Sequence, residues 1–293
     1  KKKDNMTASL DAILNQYEKN QSPNTEKKFV SNEERLKKYF APFLPKGQTE
    51  GEKTVRILPT SDGSSPFKEV YFHEVQVQGK WMKVYDPGKN SAGKPTGERS
   101  PLNEVEDALR LTGNQQDKEL ARQYRSKKFY IVKVIDRENE EDGVKFWRFK
   151  HNWKGDGIMD KLIPLFQKKG DLTNINEGRD VSLILKAVPL PSGNGTYTAV
   201  SMVMAEDPAK LHTDENTSKE WVSNAEQWSD VYSQKPIEYL EAIAKGETPV
   251  WNSDTKKYSY DTATQESITM EKTTTTTTAD PQANASVDED LPF

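Results

Sequence analysis

The chain has 293 residues, 33% of them hydrophobic and 30% charged, which allows one large or two small folded but very polar domains. It has no cysteine, excluding disulfides, thiolate nucleophiles and cysteine-based zinc sites. Its net charge of −4 hides an asymmetry: residues 1–205 hold 35 Lys+Arg against 28 Asp+Glu, whereas residues 206–293 hold 7 against 18, the pattern of a basic surface for an anionic partner plus an acidic appendage.

In chain order, a basic arm (Lys1 to Lys3) precedes a stretch with Leu10, Ile13, Leu14 and Tyr17 at helical spacing, together predicting an arm and short helix over 1–30. The pattern from Ser31 to Glu34 predicts a capped helix carrying Leu36, Tyr39 and Phe40, ended by Pro42 and Pro45. From Lys53 the rhythm turns to period two. Seven strands are predicted, over 53–59, 68–77, 80–86, 127–135, 144–151, 180–188 and 196–204, with a tight hairpin at Gln78-Gly79. The fold class is therefore mainly β with helical additions (α+β), arranged as a small barrel or sandwich. Two insertions interrupt the strands: a Gly/Pro/Lys loop over 87–101 leading to a helix through Val105, Leu109 and Leu111, and a short helix over 157–169 kinked or ended near Pro164.

After Ala205 the composition turns acidic and helical. Trp221, Trp228 and Val231 are spaced like one helix face, and 236–246 has Pro in the first turn and Gly past the end, so 211–262 is predicted as a helical extension packed on the core, with Trp251 and Tyr258 contributing. From 263 to 293 too little apolar surface remains to offset chain entropy, which predicts a disordered acidic tail. No apolar run approaches the ~18 residues of a membrane span, so a soluble intracellular protein is expected.

The most informative stretch is "KFWRFKHNWKG" (145–155), where aromatics alternate with cations. Strand alternation places Lys145, Trp147, Phe149 and His151 on one face and Phe146, Arg148 and Lys150 on the other. With the upstream cluster "RQYRSKK" (122–128), this is the mixture a single-strand groove needs: rings that stack on bases and cations that track phosphates. The competing reading is ordinary core beside a charged edge. Catalytic motifs are lacking: His73, His151 and His212 are scattered, and no phosphate loop or nucleophile elbow occurs, so no enzyme activity and no cofactor are expected.

The ordered segments 54–81, 127–166 and 180–200 resemble the core of the single-stranded DNA-binding proteins of T-even bacteriophages. The resemblance implies an OB-fold core, placed at 31–210, that coats single-stranded DNA without sequence specificity during replication, recombination and repair in a host cytoplasm. It aligns Arg56 with a DNA-contacting arginine, Trp147 and Tyr197 with tyrosines of the groove, and Arg122, Arg125, Lys127 and Lys128 with a basic run. Trp81, Arg148 and Lys150 complete the expected nucleic-acid-binding set. Lys1 to Lys3 loosely resemble the arm through which protomers of this family associate along DNA, interrupted by Asp4 and Asn5. The family prototype holds a structural zinc through one histidine and three cysteines. Here only His73 is near a ligand position, so no metal is expected, with Leu102, Val105 and Leu109 replacing it by packing.

The sequence closes on Asp288, Glu289, Asp290, Leu291, Pro292 and Phe293, which resembles the acidic tip by which bacterial single-stranded DNA-binding proteins recruit replication and repair enzymes. Leu291 and Phe293 suit an apolar pocket rimmed by Lys/Arg. Two other readings stay open at this point: an interaction adaptor or virion component with a β-barrel core, and an RNA-binding OB module.

Overall fold

The computed structural model describes residues 37–190, 195–253 and 255–260. The predicted arm over 1–30, the helix start at Ser31 and the acidic tail lie outside the described residues. Ten strands are described: β1 (Tyr39–Phe40), β2 (Glu50–Ile57), β3 (Lys68–Val77), β4 (Lys80–Tyr85), β5 (Lys127–Asp136), β6 (Val144–Lys150), β7 (Arg179–Pro189), β8 (Thr196–Pro208), β9 (Pro249–Asn252) and β10 (Lys257–Tyr260). Six helices accompany them: α1 (Pro101–Leu111), α2 (Gln115–Tyr124), α3 (Ile158–Lys169), α4 (Glu215–Val222), α5 (Trp228–Val231) and α6 (Ile237–Ala244). No helix among the described residues is long and apolar enough to cross a membrane.

The protein is thus mixed α and β, dominated by one eight-stranded sheet in the order β1-β6-β5-β2-β7-β8. β5 organises it. One edge of β5 pairs with β6, while the other is shared end to end by β3, from Lys68↔Ile131 to Phe72↔Lys127, and β2, from Val55↔Asp136 to Ile57↔Val134. β4 extends β3 outward, and β7 and β8 form a long hairpin beyond β2.

Both faces of β5 and β6 are buried. On one face Val55, Ile57, Val132, Trp147, Phe149 and Leu183 form the main core, closed by Leu162 of α3 with Ile158, Leu165 and Phe166. α3 runs unbroken through Pro164 instead of ending there. The missing N–H costs one helical bond, and the apolar side of the last turns packing on the core offsets that loss. On the other face Val70, Phe72, Phe129, Ile131 and Phe146 lie beneath Val231 and Tyr232. The β3–β4 hairpin packs Val75, Val77 and Val84 against Leu102 of α1 and Tyr239, Leu240 and Ile243 of α6.

Three expectations need correction. The ladder does not close into a barrel: the free edge of β6 is taken by the parallel pairing Tyr39↔Phe146 and Phe40↔Trp147, not by β8. From there the chain reaches β8, where the Leu44 amide donates to the Thr198 hydroxyl at 3.1 Å, so residues 39–44 span the interval between β6 and β8. Tyr39 and Phe40 are accordingly strand residues rather than helical ones. Trp221 and Trp228 do not share a helix face: α4 carries Trp221 into a cluster with Leu58, Ile135 and Leu211, while α5 places Trp228 against Phe72 and Tyr85.

Candidate nucleic-acid interface

The β3–β4 hairpin turns at Gln78 (φ 48°) and Gly79 (φ 82°), the consecutive left-handed residues that a two-residue hairpin requires. Its register sets Gln76 opposite Trp81, Glu74 opposite Lys83 and Phe72 opposite Tyr85, so these pairs share a face. The same face continues across β5 and β6 through Phe72↔Lys127, Phe129↔Lys150 and Ile131↔Arg148. Nearer α5 it is covered core. Toward the hairpin tip it opens, and Trp81 stands 67% exposed.

The open part is basic. Lys83, Lys127 and Lys150 reach the Glu74 carboxylate at 3.3, 3.0 and 2.5 Å. Arg148 lies over the rings of Tyr232 and Phe72, 4.4 and 4.8 Å from their centroids, which fixes its guanidinium by cation–π contact. Three lysines therefore surround one carboxylate, with Arg148 on the same strand face. Burial acts to raise the Glu74 pKa, but Lys83, then Lys150 and Lys127, outweigh it and hold it at about 2. Burial pushes Lys83 down to about 8, Arg148 adds to the effect, and Glu74 offsets it only in part.

Around the same strand ends, on the opposite face, Lys128 pairs with Glu69 at 2.7 Å and lies 5.3 Å over the Tyr130 ring. The Tyr130 hydroxyl is 3.2 Å from His151 Nδ1, and the His151 ring meets Trp153 edge-on at 4.2 Å. Trp153 is 80% exposed.

Of the residues singled out by sequence, the structure gathers Trp81, Lys127, Arg148 and Lys150 on one surface. Arg122 is exposed on α2, and Arg125 follows it, 4.0 Å from Glu106 and close in sequence to Lys127. Lys128 belongs to the opposite face, and Tyr197 is exposed on β8 opposite Val188, in another part of the sheet. Two assignments are corrected. Trp147 is 1% exposed, edge-on to Phe40 at 5.7 Å and beside Phe149 at 4.7 Å, so in this conformation no base can reach it. Arg56 is fully buried: it pairs with Asp180 at 3.2 Å and donates to the carbonyls of Asn174 and Ala209, fastening two loops to the sheet. Burial lowers its pKa and Asp180 opposes that shift. Lys83 and Trp153 were missed, although Trp153 closes the aromatic–cationic stretch at 145–155 and Lys83 follows Trp81 by two residues on one strand face.

The surroundings of His73 are also corrected. Leu102 does pack into the hairpin core, but Val105 and Leu109 are only half-buried, and polar groups surround the imidazole. Its Nδ1 meets the Tyr124 carbonyl at 2.6 Å, and its Nε2 lies 3.4 Å from the Ser100 hydroxyl and 3.5 Å from Asp86. Asp86 in turn accepts from Asn103 and the Gly88 amide. Burial works to raise the Asp86 pKa, but His73 and the hydroxyls of Ser126 and Ser100 push it below the usual carboxylate range. One imidazole, one carboxylate, a hydroxyl and an amide do not suit a thiolate-type zinc site. Among the described residues no group of three or more His, Cys, Asp or Glu is placed to hold a metal.

A search of curated proteins finds no match. The family model described as "gp32 DNA binding protein like" matches residues 49–246, a span that contains the whole basic face with Trp81 and Trp153. Covering well over half of the sequence, that match shows that the chain belongs to the gp32-like DNA-binding protein family.

Proposed function

We propose that the protein binds single-stranded DNA without reading its sequence, along the open end of the sheet that carries Trp81, Lys83, Lys127, Arg148 and Lys150. The observation behind this reading is the exposed Trp81 ring sharing a strand face with four cations, three of them converging on one point. Planar rings stack on any base, and cations neutralise phosphates whatever the sequence. Trp153 and Lys128 offer a second ring and charge around the strand ends, and Arg122 and Arg125 lead into Lys127. The strand order β6-β5-β2-β7-β8, with α3 between β6 and β7, supports an OB-type core in partly open form.

Each phosphate neutralised on a single strand releases counterions, so log affinity falls by about 0.7 per phosphate with log salt. The sequence Asp288 to Phe293 supports recruitment of replication and repair proteins by an acidic, apolar-tipped segment. Titrating tryptophan fluorescence with oligo-dT, oligo-U and duplex DNA tests the binding mode. Quenching by oligo-dT that weakens with salt is expected, and a response confined to duplex or to oligo-U refutes it.

A further inference from the structure

Glu74 is where the basic face is least like a simple cationic patch. It sits on β3 opposite Lys83, its side chain only 17% exposed, with Lys83, Lys127 and Lys150 all within 3.3 Å of its oxygens. A carboxylate presents one negative charge on two oxygens, as does the pair of non-bridging oxygens of a phosphodiester. Resting on the single-strand reading above, we propose that the three lysines form a backbone-phosphate subsite and that Glu74 is its internal occupant, competing with the DNA phosphate for the same ammonium groups.

Charge balance supports this exchange. Lys83, Lys127 and Lys150 face one carboxylate, an excess of two positive charges, and Arg148 adds its repulsion at Lys83, so the site stays short of negative charge with Glu74 in place. An incoming phosphate meets lysines already gathered at one point, so little side-chain ordering remains to oppose binding. Glu74 thus acts as a positioning residue that gathers the cations and, by the same contact, weakens the complex.

The test is Glu74→Gln, which keeps the shape and removes the charge. Binding of fluorescein-labelled oligo-dT is measured by anisotropy over a salt series, with circular dichroism and thermal unfolding to verify folding. One additional cation available to DNA steepens the salt slope by about 0.7 and tightens binding about 5-fold at 0.1 M salt relative to a 1 M reference. The gain should be larger at pH 6 than at pH 9, because burial already holds Lys83 at about 8 beside Glu74 and losing that carboxylate lowers it further, so the ammonium is lost at high pH. Unchanged or weaker affinity in the folded variant overturns the proposal, as does tighter binding of inorganic phosphate without tighter binding of oligo-dT. Trp81→Ala and Lys150→Gln separate the two levels of argument: if neither weakens oligo-dT binding, the surface assignment itself fails. If both do and Glu74→Gln changes nothing, only the competition fails. Should Glu74→Gln not fold, the Glu74 carboxyl carbon resonance in the wild-type protein decides, since it shifts on oligo-dT addition when the lysines change partner and stays fixed when they do not.

Discussion

Substituting the two aromatic candidates separates core from interface. Trp147 is 1% exposed between Phe40 and Phe149, beneath the β1 segment. Trp147→Ala removes an entire indole from a packed cluster, and the cavity left behind cannot fully collapse because β5, β6 and α3 bound it. The expected cost is about 3–5 kcal/mol of folding stability, comparable to the total margin of many domains. Urea unfolding followed by far-ultraviolet circular dichroism measures it as a lower midpoint at unchanged slope. Trp81→Ala is the counterpart: at 67% exposure it should alter stability by less than ~0.5 kcal/mol. It should nevertheless remove a stacking platform worth about 1–3 kcal/mol, a loss of ~5- to 150-fold in oligo-dT affinity. A Trp147→Ala protein with wild-type stability and lost DNA binding would refute the assignment, because the ring would then have to leave the core to work.

Arg56→Ala leaves the carbonyls of Asn174 and Ala209 without their donor while Asp180 keeps Arg137, so it should cost about 1–3 kcal/mol in urea unfolding while leaving the salt slope of oligo-dT binding unchanged. Prolonged dialysis against a chelator should not shift the melting temperature, since His73 is held by Tyr124, Ser100 and Asp86; a fall of several degrees would show a structural metal. Glu74, Asp86 and Asp136 all have folded pKa values below their ordinary ones, so each contributes stability that is complete above about pH 4.5 and fades as acid protonates it, for Glu74 toward about pH 2. Urea midpoints at pH 7, 5 and 3 should fall mainly over the last interval, and Glu74→Gln should flatten that fall.

Several period-two stretches were legible almost to the residue, whereas β2 begins three residues before its expected start and β8 runs four residues past its expected end. The strand predicted over 68–77 is β3 as observed, and those over 127–135 and 144–151 differ from β5 and β6 by one residue at one end. Local alternation suffices there because each strand is long and its partners lie on both sides. β1 was not legible, since two residues carry no period and its pairing with β6 is set by tertiary contact. The open ladder follows from that same segment. α2 was passed over because its sequence is polar almost throughout and buries only Ala121, leaving little apolar stripe to read. In the site, the division of β6 into two faces was correct, but which face meets solvent depends on α3, α5 and β1, none of which strand alternation can reveal.

This dependence explains why Trp81, and not Trp147, is the better candidate for stacking. Aromatics interleaved with cations at period two are ambiguous wherever a strand is covered on both faces, because a cation can then serve the core, as Lys145 does, buried against Asp136 and Asp142. A ring can meet a base only where the sheet extends beyond the elements that cover it. The β3–β4 hairpin does so on one face only: α1 and α6 seal Val75, Val77 and Val84, while Gln76 and Trp81 on the reverse side stay exposed. Charge and aromaticity therefore coincide at an uncovered surface at the end of the sheet, and it is this combination of exposure with composition, more than composition alone, that singles out the candidate interface.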